Sequence, residues 1–274
     1  MANYTAADIK DIREKTGAGM LDVKKALDEA NGDHEKAVEI IRVKGLKGIA
    51  KREGRAASEG LVAADVRDVE GGQLGTLVEI NSETDFVAKN AKFIALGDEA
   101  VAAAVESGAS TPEELAETSF GEALTNAGAT MGEKILVRRI GRVQGEVVTN
   151  YMHRTNKDLP PQVGVLVATD KAGAEIARDV AMHIAAYSPL YLTREDVPAD
   201  VVENERRIAE DTAKNEGKPE KALPKIVEGR MNGFFKENVL LDQPFAKDPK
   251  QSVGKVVEAA GGKVTGFVRF RVGN

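Results

Sequence analysis

The sequence contains no cysteine, and this absence excludes several kinds of chemistry. Without cysteine the chain has no disulfide, no thiolate nucleophile and no cysteine-based metal site. The opening stretch MANYTAADIK lacks the basic and apolar regions of a secretory signal. No apolar run approaches the roughly 18 residues that a membrane-spanning helix needs. We therefore expect a cytoplasmic protein that has no membrane partner.

The chain also lacks an excess of positive charge. Its 38 Lys and Arg residues are outnumbered by 44 Asp and Glu residues, which gives a formal net charge of −6. Proteins that bind nucleic acid depend largely on Lys and Arg to neutralise phosphates. We therefore predict that nucleic acid is not a direct partner.

Recognisable catalytic and cofactor motifs are missing as well. The three histidines, His34, His153 and His183, lie in different predicted elements, and no HExxH pair occurs. No GxxxxGK[ST] phosphate loop is present, and Gly71 and Gly72 fit a hairpin turn rather than a nucleotide-binding loop. Carboxylate pairs are common in a chain with 30% charged residues and carry no assignment. We predict a non-enzymatic protein with no cofactor, no metal and no catalytic residue.

Three short helical patterns occupy the N-terminal part of the chain. They are separated by TGAG at residues 16–19 and by NGD at residues 31–33, and both stretches are typical helix-ending signals. We predict a three-helix domain at residues 1–45. Residues 46–55 are rich in Lys, Arg and Gly with weak apolar periodicity, and we interpret them as a linker, with partial helical structure left open.

The length of 274 residues exceeds the usual single domain of about 100 to 150 residues. A strand, a connection, a second strand and a helix are predicted for residues 61–107, and the same order returns for residues 146–187. The predicted fold class is therefore α+β, with two related core subdomains at residues 56–140 and 141–274.

A charged excursion interrupts the second subdomain at about residues 195–236. Two amphipathic helical patterns flank Gly217-Lys218-Pro219, which predicts an antiparallel helical hairpin. Pro224 lies early in the second pattern, where we expect it to kink or delay the helix because proline removes a backbone donor.

The segment NSETDFVAKN, residues 81–90, follows the apolar strand pattern LVEI. Ser82 and Asp85 have the spacing of a capping box, so we predict a helix from Ser82 to about Ser107 with Asp85 and Phe86 in its first turn. One interpretation is that Asp85 caps this helix and Phe86 staples it to its own sheet. The other is that Phe86 is presented to a partner.

Two motifs together, TGAGMLDVKKAL at residues 16–27 and TDFVAKN at residues 84–90, resemble bacterial translation elongation factor Ts. The similarity continues through MGEKILVRR, VGVLV, AMHIAA, EGKPEKALPKIVEGRM and VTGFVRFRVG, so it covers essentially the whole chain. The resemblance implies a guanine-nucleotide exchange factor for elongation factor Tu. It also implies that the N-terminal domain is ubiquitin-associated-like, that the two core subdomains are related, and that the helical hairpin is an antiparallel coiled coil.

The resemblance further implies a set of partner-binding residues. Asp85 and Phe86 would enter the GTPase near its magnesium and switch elements, with Phe86 as an apolar wedge. Lys24, with Met20 and Leu21 beside it, would contact the nucleotide domain of the partner. Met131 and Gly132, in the loop after the second core helix, would lie beside the wedge. His153 would face a different domain of the partner. Structural alternatives stay open: Met20 and Leu21 as core residues, Lys24 as a solvated lysine, Gly132 as a helix end and His153 as an ordinary strand residue.

The expected partner is elongation factor Tu in its GDP-bound and nucleotide-free states. A weak homodimer, or a heterotetramer with the GTPase, is left open by the resemblance. Two rival functions also remain. One is a binding adaptor whose N-terminal domain captures peptides, and the other is an enzyme that uses clustered carboxylates.

Overall fold

A computed structural model describes residues 3–273 of the chain. Its helices and antiparallel sheets confirm the predicted α+β class. The helices are α1 Ala6–Thr16, α2 Met20–Glu29, α3 His34–Lys47, α4 Ile49–Arg52, α5 Asp85–Ala88, α6 Ala91–Ser107, α7 Pro112–Ala116, α8 Ser119–Met131, α9 Ala174–Tyr187, α10 Ala199–Asn215, α11 Leu223–Asn238 and α12 Val253–Ala259. The strands are β1 Glu59–Val69, β2 Gly72–Ser82, β3 Leu136–Gly145, β4 Val147–His153, β5 Val163–Thr169, β6 Pro244–Phe245, β7 Asp248–Ser252 and β8 Val264–Arg271.

The first three helices enclose a small apolar core of their own. Ile12, Val23 and Leu27 are fully buried in it. Thr5 caps α1 through a capping box with Asp8, in which each side chain bonds to the other's backbone amide. These contacts bury the apolar face of each helix, and the likeness to a ubiquitin-associated domain stays a prediction.

The segment predicted as a linker is largely helical. Helix α3 continues to Lys47, and α4 follows almost at once. The physical reason is a close contact between α3 and α8 at Gly45, where an added Cβ would lie 1.8 Å from the carbonyl oxygen of Ala129. Only glycine permits this approach. Because α3 docks on α8 here, the chain stays helical where its composition favours flexibility.

Two three-stranded antiparallel sheets form the centre of the molecule. Their strand orders are β1-β2-β3 and β4-β5-β8, so β2 and β5 are the central strands. Val62 and Leu77 of the first sheet pack against Leu166 and Phe270 of the second in one buried cluster. Helix α6 packs on β1 and β2, and α9 packs on β4 and β5. The relation between the two halves, and the boundaries proposed for them, stay predictions.

The prediction of one helix from Ser82 to Ser107 is wrong for residues 82–90. Strand β2 extends through Ser82, whose hydroxyl donates to the carbonyl oxygen of Thr84. Thr84 caps the separate four-residue helix α5, and Asn90 caps α6. Ser82 is buried at the end of a strand paired with Glu59, and therefore it does not act as the N-cap.

The predicted excursion is a helical hairpin made of α10 and α11. The two helices pack around Ala209, Val227 and Met231. Pro224 falls in the first turn of α11, where its missing N–H leaves no hydrogen bond unmade. The expected kink is wrong, because α11 begins at Leu223, one residue before the proline, and continues unbroken to Asn238. Within residues 3–273, no helix combines the length and apolar character needed to cross a membrane.

Candidate functional site

Helix α5 presents a phenylalanine to solvent. The side chain of Phe86 is 79% exposed, whereas its neighbours Val87 and Ala88 are buried in the core of the first half. The side chains of Val87 and Ala88 therefore anchor the helix in the core, while the larger side chain of Phe86 points into solvent. Phe86 does not staple the helix to its own sheet.

The exposed ring has a charged pair beside it. The Lys89 amino group lies 2.7 Å from a carboxylate oxygen of Asp85 and 5.1 Å from the centroid of the Phe86 ring. A cation near an exposed ring contributes only about 0.5–1 kcal/mol. This contact can bias the position of the ring without covering it.

Glu133, which follows α8, binds the chain just before α5. One of its carboxylate oxygens accepts hydrogen bonds from the backbone amides of Glu83 and Thr84, both at 3.0 Å. The other accepts the Thr84 hydroxyl at 2.5 Å. Hydrogen bonds to a charged carboxylate are roughly twice as strong as neutral ones, so this contact fixes the start of α5.

Glu83, which precedes α5, in turn binds the loop that follows α8. Its carboxylate accepts the backbone amide of Lys134 at 2.6 Å and lies 3.3 Å from the Arg55 guanidinium. We name Glu83 and Glu133 the carboxylate clamp, and residues 83–88 the Phe86 turn. Sequence reasoning missed the clamp, because its two glutamates are distant in the chain and match no local motif.

The loop before α2 packs against Asn90, at the end of the TDFVAKN motif, and against Met131. A Cβ built at Gly17, in the loop before α2, would lie 3.1 Å from the side chains of both Asn90 and Met131. Met20 and Leu21 follow at the start of α2 and are 57% and 71% exposed. The structure therefore brings the motifs TGAG, TDFVAKN and MGEK together, and it rules out a core position for Met20 and Leu21.

The remaining predicted site residues differ in accessibility. Lys24 is exposed on α2. Met131 is buried and belongs to the last turn of α8, which corrects its expected place in the following loop. Gly132 is the C-cap of α8 with φ 76°, a left-handed conformation that favours glycine. A partner would therefore reach Gly132 more readily than the Met131 side chain.

His153 is not part of this cluster. It is exposed at the end of β4, an edge strand of the second sheet, and its Nδ1 lies 3.2 Å from the Tyr151 hydroxyl. Strand β4 packs mainly on β5 and α9. Its expected role therefore concerns a separate surface.

Comparison with known proteins adds an independent finding. A family model described as Elongation factor TS matches residues 83–274. The elongation factor Ts of Beutenbergia cavernae is 65% identical over 280 residues, with all of both chains covered. Those of Micrococcus luteus and Renibacterium salmoninarum are 65% and 63% identical, also over the full length of both chains.

The chain belongs to the elongation factor Ts family. The resemblance noted from the motifs is thereby confirmed, and the chain's role lies in the elongation stage of protein biosynthesis. The family model begins at Glu83 and so includes the whole Phe86 turn, while the full-length relatives extend the elongation factor Ts similarity through the N-terminal helices.

Among the histidines of residues 3–273, His183 is fully buried, and it has a packing role. The Nδ1 of His183 accepts the backbone amide of Ala246, so Nε2 carries the proton that is donated to Gln243 at 2.8 Å. Burial lowers the pKa of His183 and keeps the ring neutral. Within residues 3–273, no group of three or more His, Asp and Glu residues is arranged to hold a metal ion.

Proposed function

We propose that the chain is a guanine-nucleotide exchange factor for elongation factor Tu, and that it acts by inserting Phe86 and Asp85 near the magnesium and phosphate site of the GTPase. The observation that carries the proposal is the 79% exposed Phe86 on a short helix whose backbone is fixed at its start. Family membership supplies the partner. Neither feature would suffice alone, because an exposed phenylalanine marks a contact surface without naming what it contacts.

An exchange factor works by differential binding, and it makes and breaks no covalent bond. It must bind the nucleotide-free GTPase more tightly than the GDP-bound form. Linkage then requires that nucleotide weaken the binding of the factor by the same free energy. The chain would therefore promote GDP release and hold the nucleotide-free state until GTP rebinds.

The contribution of Phe86 can be bounded. Full burial of a phenylalanine side chain contributes about 1.5–3 kcal/mol. This amount can offset a displaced helix near the metal, but it cannot expel a tightly bound nucleotide. Asp85 would add to the effect by repelling phosphate or competing for its donors, and loss of magnesium would leave the phosphate charge unneutralised.

Other contacts must share the work. Met20, Leu21 and Lys24 would bind the nucleotide domain of the partner, and the loop before them packs against Asn90, two residues after the Phe86 turn. Gly132, with Met131 beneath it, would lie beside the inserted ring. His153 would face a different domain of the GTPase.

The setting of the proposal is the cytoplasm, where translation elongation takes place. The proposed partner states are GDP-bound and nucleotide-free elongation factor Tu. A weak homodimer or a heterotetramer with the GTPase is compatible with this function, which requires only one Phe86 turn per GTPase.

The deciding experiment is release of fluorescent GDP from elongation factor Tu at fixed magnesium, with and without catalytic amounts of the chain. We expect accelerated release with many turnovers per molecule of the chain. Absence of acceleration, with the chain shown to be folded by circular dichroism, would overturn the proposal.

A further inference from the structure

The Phe86 turn is held mainly from outside its own helix. Helix α5 has only four residues, which is too short to be stable by itself in water. We propose that Glu133 is a positioning residue that fixes the direction of Phe86 before the partner binds. This inference rests on the proposed exchange function.

The hydrogen bonds form a continuous chain from Glu133 to α5. The Thr84 hydroxyl donates its proton to Glu133 and thereby presents a lone pair to the Val87 amide, at 3.4 Å, as the N-cap of α5. Without the Glu133 carboxylate, the hydroxyl could rotate and the amides of Glu83 and Thr84 would lose their acceptor. The direction of Phe86, two residues further on, therefore depends on Glu133.

The reciprocal bond prevents the two loops from separating. Glu83 accepts the amide of Lys134, the residue after Glu133, while the Lys134 amino group donates to the carbonyl oxygen of Glu53 at 2.5 Å. The Phe86 turn, the loop after α8 and the segment after α4 thus form one hydrogen-bonded unit. Since Arg55 also pairs with Glu83, this unit joins the segment after α4 to the turn by a second contact.

Such an arrangement increases activity by preorganisation. If the turn were mobile in the free chain, part of the interaction free energy would be spent on ordering it in the complex. Glu133→Ala should therefore slow GDP release on the order of tenfold, the effect expected for loss of charge-assisted hydrogen bonds. Glu133→Gln, which retains one acceptor oxygen, should fall between the alanine variant and the natural chain.

A double-mutant cycle separates positioning from general stability. Glu133→Ala and Phe86→Ala are measured singly and together, with Glu122→Ala, an exposed residue of α8, as the matched control. If Glu133 acts through Phe86, its removal should have little further effect once Phe86 is absent. Equal slowing by Glu133→Ala in both backgrounds, or no slowing in either, would overturn the inference. If the alanine variant fails to fold, the same cycle is run with Glu133→Gln.

Hydrogen exchange on the free chain gives a readout that does not need the GTPase. Glu133→Ala should raise exchange at the amides of Glu83, Thr84 and Val87, and leave the amides of β2 unchanged. Unchanged exchange at those three amides would overturn the inference. If the natural chain does not accelerate GDP release, the proposed function fails, and this measurement still decides whether Glu133 positions the turn.

Discussion

In each sheet the central strand is followed by a connection to a helix, and the two connections differ in structure. After β2, the Phe86 turn adds the extra helix α5 before α6 begins. After β5, Asp170 closes a tight turn by accepting the amides of Gly173 at 2.8 Å and of Lys263 at 2.9 Å. These hydrogen bonds lower the pKa of the Asp170 carboxyl.

The difference lies in where the stabilising carboxylate comes from. In the second turn it belongs to the turn itself, so Asp170 is occupied by backbone amides and no large apolar side chain projects. In the first it comes from Glu133, 49 residues away from Thr84. The aromatic ring of the Phe86 turn is therefore left exposed for a partner, with the Asp85 carboxylate paired to Lys89 beside it. We infer that exchange depends on this turn and not on the other.

The largest effect should come from the exposed ring. Phe86→Ala should lower the efficiency of GDP release from elongation factor Tu by about 10- to 100-fold, the equivalent of losing one buried phenylalanine contact. The thermal midpoint of the variant should stay that of the natural chain, because the ring packs on little of its own domain. The matched control is Ile208→Ala, which also removes an exposed apolar side chain but lies on α10, outside the Phe86 turn.

The second effect concerns affinity rather than release. Met20→Ala combined with Leu21→Ala should raise the concentration of the chain needed for half-maximal release by roughly tenfold, since each removes only a modest apolar contact. The maximal rate should persist. A reduced maximal rate with unchanged half-saturation would show that α2, and not only the Phe86 turn, acts on the nucleotide site.

The third prediction applies to the other turn. Asp170→Ala should lower the free energy of unfolding, because the amides of Gly173 and Lys263 lose their acceptor. GDP release by the folded variant should not change. Lys171→Ala, at an exposed position in the same turn, serves as the control in urea unfolding. Slower release by folded Asp170→Ala would contradict the contrast between the turns.

The smallest effect is a pH dependence located in the second half. Burial lowers the pKa of His183 below the ordinary value of 6.5. As the pH falls below about 6.5, the unfolded chain therefore binds a proton that the folded chain still excludes, and stability decreases. Urea unfolding between about pH 7.5 and pH 5.5 should show this loss. His183→Gln should flatten the slope, and an unchanged slope would assign the pH dependence to other groups.

Much of the fold could be predicted from local patterns. The three N-terminal helices, the strands around the Glu70-Gly71-Gly72 turn and the helical hairpin all follow from periodicity and turn residues. The effect of Pro224 does not follow from the local pattern alone, because a proline in the first turn leaves a helix intact and one further inside kinks it.

Features that depend on distant partners could not be predicted. Ser82 has the right spacing for a cap, but pairing of β2 with Glu59 keeps it in the strand and passes the cap to Thr84. Glu79 lies within the apolar strand pattern and is fully buried, where the Arg139 guanidinium lies 2.7 Å from its carboxylate. No local pattern identifies such a partner.

The candidate site also contains features that could be predicted from the sequence and features that could not. The position of Phe86 near the start of a helix could be predicted from TDFVAKN. Its exposure could not, since the local pattern favours stapling of the ring to the sheet. Glu133 was recognisable only as part of the motif MGEK. Its role depends on hydrogen bonds between segments that are distant in sequence and meet only in the folded chain.

The most direct test is the maximal rate of fluorescent GDP release from elongation factor Tu under a saturating excess of Phe86→Ala. If the ring acts on the nucleotide site, this maximal rate should remain below that of the natural chain however much variant is added. If the variant reaches the natural maximal rate at higher concentration, Phe86 contributes only affinity, and insertion of the ring is not what releases GDP.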